Sequence, residues 1–274
     1  MTKEEEQNIS QSLLKMLTKY ADKKECGLKL KAQYIDRLSD KPTEAQALGN
    51  WFEYVCTGAL PPYNPVIPEP KLLKSGELPT AYKRMEEQVN NYKFAVEHYK
   101  IEIIKAGYDM KYGNITGTAD ILAEMNGRKV LIDIKTTGLY DDKWSDFGWN
   151  TEHLAEGYRP KFDILIQALH YKWLYRQITG EDIDFYFWVF STKNTNDFKI
   201  IKVNIDEALF TEHAKDIQTG LRFLLHSLKH GFKAHPSMSR CGKCFLKETC
   251  ASKLEVPSID EVYYGIGLGN EKLD

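Results

Sequence analysis

The stretch KVLIDIKTTG, residues 129–138, opens as a buried strand, with Val130, Leu131 and Ile132 in a row. It then sets Asp133 and Lys135 on either side of Ile134. Residues two apart along a strand point to the same face, so an acid and a base stand side by side at the C-terminal end of a core strand. Thirteen residues before Asp133, Asp120 lies in the preceding apolar stretch, within GTAD. A hairpin register between the two stretches can bring Asp120 beside Asp133. Two close carboxylates repel, and both stay ionised only with a cation between them. Hard oxygen donors of this kind select Mg²⁺ or Mn²⁺, and the lysine is then placed to stabilise charge developing on a phosphate. A solvated strand with alternating polar residues and one surface salt bridge has the same spacing.

The rest of the chain bounds the answer. At 274 residues it is long enough to bury a sizeable core, and it reads as one domain over 1–274. The 37 basic and 39 acidic residues nearly cancel, so a nucleic-acid partner requires a local basic surface rather than bulk charge. The N-terminal MTKEEEQNIS lacks the apolar core of a signal peptide, and the apolar run FYFWVF (185–190) is far too short to span a bilayer. The expectation is a cytoplasmic protein of bacterial or phage origin with no membrane partner. Five cysteines in a reducing compartment argue for metal ligation or free thiols over disulfides.

Periodicity predicts helices over 4–20, 44–60, 78–104 and 162–179, and a last one over about 205–230. Strands are expected over 108–125 and 128–137, joined by the turn Asn126-Gly127-Arg128. The stretches 183–192 and 197–205 read as a hairpin. Helices, strands, helix, strands, helix is the order of a mixed α/β layer fold.

Four features in order now carry a resemblance. Gly49 is followed four residues later by Glu53 on a helix. Gly117 and Asp120 precede Asp133-Ile134-Lys135. Gln167 and Tyr171 stand four apart in QALHY, on one helix face. This series resembles the PD-(D/E)xK nuclease superfamily, in its RecB-like branch that includes the CRISPR-associated exonucleases. The resemblance spans roughly residues 20–255. It implies a restriction-endonuclease-like core, a mixed central sheet flanked by helices, that hydrolyses phosphodiester bonds with Mg²⁺ or Mn²⁺. It further implies that Glu53, Asp120, Asp133 and the backbone carbonyl of Ile134 hold the metal. Lys135 becomes the catalytic lysine, and Gln167 and Tyr171 support the site. Many members carry histidine where Glu53 stands, so this site is more anionic than theirs.

The tail RCGKCFLKETC places Cys241, Cys244 and Cys250 at spacings of two and five intervening residues. A structural Zn²⁺ completed by His235 or a fourth cysteine is one reading. In relatives with an iron–sulfur cluster, the same spacing follows the catalytic core and a fourth ligand lies upstream of the first motif. The resemblance therefore implies a [4Fe–4S] cluster on Cys26, Cys241, Cys244 and Cys250. Cys56, on the apolar helix beside Glu53, reads as a small buried residue.

Lys229, His230, Lys233, His235, Arg240, Lys243 and Lys247 form a local basic cluster that either tracks phosphates or is a solvated helix end. Tyr140, Trp144, Phe147 and Trp149 follow the lysine and either stack on bases of a single strand or form an apolar lid. The expected partner is DNA, single-stranded or with a free end. No G-x-x-x-x-G-K-[ST] loop is present, so any helicase or recombination motor is a separate chain. The competing functions are a catalytically inactive DNA-binding scaffold and a zinc-stapled nucleic-acid or protein adaptor.

Overall fold

The computed structural model describes residues 8–38, 42–61, 65–142, 148–150 and 159–254. Along the chain run β1 (Ile9–Ser10), α1 (Gln11–Ala21), α2 (Gly27–Leu30, continued by a π-helical turn over Lys31–Ile35), α3 (Glu44–Thr57) and α4 (Thr80–His98). Then come β2 (Ile101–Tyr112), β3 (Ile115–Met125), β4 (Arg128–Thr137), α5 (Arg159–Thr179), β5 (Asp184–Ser191), β6 (Phe198–Val203), α6 (Glu207–His230) and α7 (Met238–Cys241).

The strands form one mixed sheet. β2, β3 and β4 are an antiparallel meander, β4 and β5 are parallel, β5 and β6 form a hairpin, and β1 pairs in parallel with the start of β3. Helices cover both faces. Leu131, Phe185, Phe187 and Val189 pack with α1, α5 and α6. Val130, Ile132, Ile134, Trp188 and Phe190 pack with α3 and α4. A central strand such as β5 is therefore apolar on both sides, which is why FYFWVF runs without a polar interruption.

Local chemistry fixes the ends of these elements. The Ser10 hydroxyl accepts the Leu13 N–H at the start of α1, and Asp206 accepts the Leu209 N–H at the start of α6. Thr43 and Gln46 form a reciprocal capping box on α3, whose C-cap Gly58 has φ +72. Asn126 and Gly127 have φ of +52 and +75, the backbone a tight two-residue hairpin turn needs.

The structure corrects four element boundaries. The first helix begins at Gln11 rather than residue 4, with β1 before it; residues 1–7 lie outside the described residues. The 44–60 helix stops at Thr57. The 78–104 helix ends at His98, where Lys100 takes φ +50 and the branched Ile101, Ile103 and Ile104 turn extended. The single strand expected over 108–125 is the end of one strand and the whole of the next, folded at Gly113 with φ +57. Among the described residues no helix is long and apolar enough to cross a membrane.

Candidate active site

The β3–β4 register pairs Ile121 with Ile132. Asp120 and Asp133 each lie one residue beyond that pair, at the end of the ladder. The Asp120 Oδ2 accepts the Ile134 N–H at 2.6 Å, a bond across the two strands. The Asp133 side chain is fully buried. Its Oδ2 forms an ion pair with Lys135 Nζ and is otherwise without a hydrogen-bond partner, while its Oδ1 accepts from Gln167 Nε2 at 2.7 Å. Gln167 also donates to the Tyr171 hydroxyl at 3.2 Å. The α5 pair and the β4 acid thus form one connected group.

Two glycines allow the helices to come this close. A Cβ on residue 117 of β3 would meet the Tyr171 ring at 2.8 Å and Leu174 at 3.0 Å, so α5 seats its tyrosine on bare backbone. A Cβ on residue 49 would lie 3.2 Å from Thr136 Oγ1, which marks the close approach of α3 to the end of β4. One turn further along α3, Glu53 stands near enough to Asp133 and Lys135 for their charges to act on it.

The electrostatics follow from burial. Desolvation, then the Asp133 charge, push Glu53 from 4.5 up to about 7, against the pull of Lys135. Asp120 is held well above the usual carboxylate range by burial, then by Asp133 and Glu53; Lys135 and the Ile134 N–H oppose this. Burial also raises Asp133, with Lys135 opposing. For Lys135, burial acts to lower its pKa, but Asp133, Asp120 and Glu53 outweigh it and raise the pKa. Three acids and one ammonium therefore share a poorly solvated corner in which Asp133 raises Glu53, Asp133 and Glu53 raise Asp120, and burial alone raises Asp133. Added positive charge would lower all three carboxylates.

The donor set fits a hard divalent ion: carboxylate oxygens, one of them buried and orphaned apart from its lysine. As placed, no three His, Cys, Asp or Glu side chains among the described residues are gathered closely enough to grip one ion. Asp120 Oδ2 is engaged by a backbone N–H and Asp133 Oδ2 by Lys135. Each carboxylate keeps lone pairs beyond those bonds, so an ion can be held with the present hydrogen bonds in place once the side chains draw closer.

Away from these residues in the chain, Cys26, Cys241, Cys244 and Cys250 line one small cavity together with His235 and Lys29. Backbone contacts bring the N-terminal segment to the tail. Gly27 N–H donates to Lys233 O at 3.0 Å, Lys233 N–H to the Tyr20 hydroxyl at 2.7 Å, and Arg240 to Lys24 O at 3.2 Å. Gly27 is needed there, because a Cβ would fall 2.4 Å from Lys233 O. His235 Nδ1 lies 3.2 Å from Glu25 O and its ring packs on Tyr20. Part of the basic cluster is thus spent on tying the two termini. Cys56 lies half-buried against the α3–α4 core, its thiol pushed up by desolvation and then by Glu53.

Two of the four aromatics after Lys135 pack on the core: Trp149 sits edge-on against Phe187, and Tyr140 carries Lys199 over its ring. Trp144 and Phe147 lie outside the described residues. A buried histidine pair between α5 and α6 carries no sequence motif. His170 Nδ1 meets His213 Nε2 at 3.1 Å, and His170 Nε2 meets Thr116 O at 3.1 Å. Desolvation lowers both, His170 to about 4 and His213 to about 3, so both are neutral struts near neutral pH. Adjacent to Tyr171 and bonded to the residue before Gly117, His170 fixes the helix that carries Gln167.

Residues 10–250 match a family model described as "PDDEXK-like domain of unknown function (DUF3799)". No curated protein matches the sequence. Among solved structures, a "Putative exonuclease" from Eubacterium rectale superposes with a TM-score of 0.56 at 20% identity, over 82% of this chain and 86% of that one. That likeness bears on the fold, a mixed sheet flanked by helices with a restriction-endonuclease-like core. An alkaline exonuclease from Laribacter hongkongensis gives 0.47 at 12% identity over 82% and 93%. A phage related exonuclease from Haemophilus somnus gives 0.40 at 14% over 81% and 96%.

Proposed function

Because the chain belongs to the PDDEXK-like family DUF3799, we propose that it is a divalent-metal-dependent nuclease that cuts DNA from an end, using Mg²⁺ or Mn²⁺. One observation carries the reading: Asp120, Asp133, Lys135 and Glu53 meet at the end of β4, with Gln167 bonded to the buried acid. When bound, the ion supplies Lewis-acid charge at the phosphate. Asp120, Asp133 and Glu53, with the Ile134 carbonyl, hold it. Lys135 is paired to Asp133 while its side chain remains 31% exposed, so its ammonium is kept charged and oriented yet reachable. Aimed at a phosphate, it stabilises the negative charge that builds up as the ester breaks. Gln167 and Tyr171 hold the buried carboxylate in one orientation, as supporting residues do around a metal ligand.

Within this reading the protein is a single nuclease domain of the RecB-like branch, acting in recombination, repair, phage DNA processing or CRISPR adaptation, with any motor on a separate chain. Cys26, Cys241, Cys244 and Cys250 hold a [4Fe–4S] cluster that staples the termini, supported by their shared cavity and by soft thiolate chemistry. The test is cleavage of end-labelled single- and double-stranded DNA by anaerobically purified protein, with Mg²⁺, with Mn²⁺ and with EDTA. Cleavage with either metal and none with EDTA is expected; no cleavage under any condition overturns the reading.

A further inference from the structure

The turn between β5 and β6 is held far more firmly than a surface connection requires. Gln88 of α4 is fully buried, and its Nε2 reaches the carbonyls of Ser191, Asn194 and Asp197 at 3.0, 3.1 and 3.0 Å. Asn91 donates to Gln88 Oε1 and to Thr195 O, both at 2.6 Å. From within the turn, Ser191 Oγ accepts the N–H groups of Lys193 and Asn194. The backbone's hydrogen-bonding groups are largely spent inward, and what the turn shows outward is side chains.

The turn also stands beside the catalytic strand. β4 and β5 are in parallel register, with Lys135 opposite Val189 and Thr137 opposite Ser191, and the Thr192 N–H donates to Thr137 O at 2.9 Å. A Cβ on residue 138 would lie 3.4 Å from both Lys193 Cε and Thr192 Oγ1, so the lysine lies along the bare backbone of Gly138. At about 3.3 Å per residue, that places it roughly 7–10 Å along the strand from Lys135. The other two lysines of the hairpin are engaged: Lys199 with Asp141 and two carbonyls, and Lys202 with Asp184. Lys193 is exposed and has no carboxylate partner among the described residues.

We propose that this turn is a clamp for the nucleic-acid backbone, in which Lys193 binds a phosphate within one or two nucleotides of the one that is cut. The inference rests on the nuclease reading for its substrate. Its physical ground is that the metal-free site gathers three carboxylates around one lysine, and such a site repels a polyanion. A cation outside the carboxylate cluster offsets that repulsion, and the pinned turn presents one.

The test is binding of a labelled single-stranded oligonucleotide in EDTA, followed by fluorescence anisotropy over a salt series, alongside cleavage kinetics with Mg²⁺. Lys193→Gln should weaken binding several-fold and reduce the slope of log affinity against log salt by about 0.7–1. KM should rise more than kcat falls, and Lys193→Arg should restore binding. Lys202→Gln, at the far end of the hairpin, should change neither. Lys193→Gln binding like wild type at every salt concentration overturns the clamp, as does an equal loss in Lys202→Gln. Wild type that cleaves while Lys193→Gln is unaffected defeats the clamp alone. Lys193-dependent binding without cleavage defeats the nuclease reading alone.

Discussion

Replacing Glu53 by glutamine should stabilise the metal-free protein, and by an amount that grows with pH. Burial and Asp133 raise Glu53 from 4.5 to about 7. A carboxyl raised on folding contributes its full stability below its unfolded value and loses it as pH climbs through the folded value. Between about pH 4.5 and 7 the folded state holds a proton that the unfolded chain releases, so stability falls across that window. Above it, the ionised side chain costs the fold about 3 kcal/mol, a ceiling trimmed by its partial exposure to water. Glutamine keeps the shape and removes the charge. At roughly 2–4 °C per kcal/mol for a chain of this size, the variant should melt up to roughly 6–12 °C above wild type near pH 8.5 and close to it near pH 5. The assay is thermal unfolding by circular dichroism in EDTA at both pH values. Adding Mg²⁺ near pH 8.5 should then raise the wild-type Tm more than the variant's, because the lost charge is a lost ligand. An equal Tm difference at both pH values, or a variant less stable near pH 8.5, would refute the placement of Glu53 among these acids.

Three further outcomes follow from the packing and the thiols. Gly117→Ala puts a methyl 2.8 Å from the Tyr171 ring; it should cost about 1–3 kcal/mol in chemical denaturation and lower cleavage by shifting Gln167. Anaerobically purified protein should be brown with about four irons per chain, and Ser at Cys26, Cys241, Cys244 or Cys250 should remove the colour and lower Tm, whereas Cys56→Ser should leave the colour intact. Colourless wild type with one zinc per chain would replace the cluster by a zinc staple. Gln88→Leu, which strands three turn carbonyls, should destabilise by about 2–4 kcal/mol and raise the KM for DNA through the loosened turn.

Much of the candidate site was legible because its chemistry violates local expectation. An acid and a lysine at the end of the apolar Val130–Ile132 run have no packing reason to be there, and the β3–β4 hairpin brings Asp120 to them. The spacing of Gln167 and Tyr171 put both on one helix face, and Gln167, bonded to Tyr171 and to Asp133, joins that face to the strand. What escaped was set by tertiary contacts or by single backbone angles. The pair Gly113-Asn114 is itself a two-residue hairpin signal between Tyr112 and Ile115, inside the stretch expected as one strand, and the positive φ of Gly113 folds that stretch into two strands. The helix pattern of 78–98 likewise continues past Lys100, where one left-handed residue ends it. His170 and His213 are 43 residues apart and carry no motif, so only the packing of α5 on α6 reveals them. The turn around Lys193 reads as an ordinary polar connection, because the Gln88 that pins it lies about a hundred residues earlier.

The central claim is that the β4 lysine and its acids form a phosphodiester-cleaving centre. The most direct measurement is the cleavage rate of end-labelled DNA by wild type and Lys135→Ala, both folded by circular dichroism, with Mg²⁺ or Mn²⁺ present. A wild type that cuts and a Lys135→Ala variant slower by about 100-fold or more is the predicted result. Equal cleavage by the two proteins would contradict it.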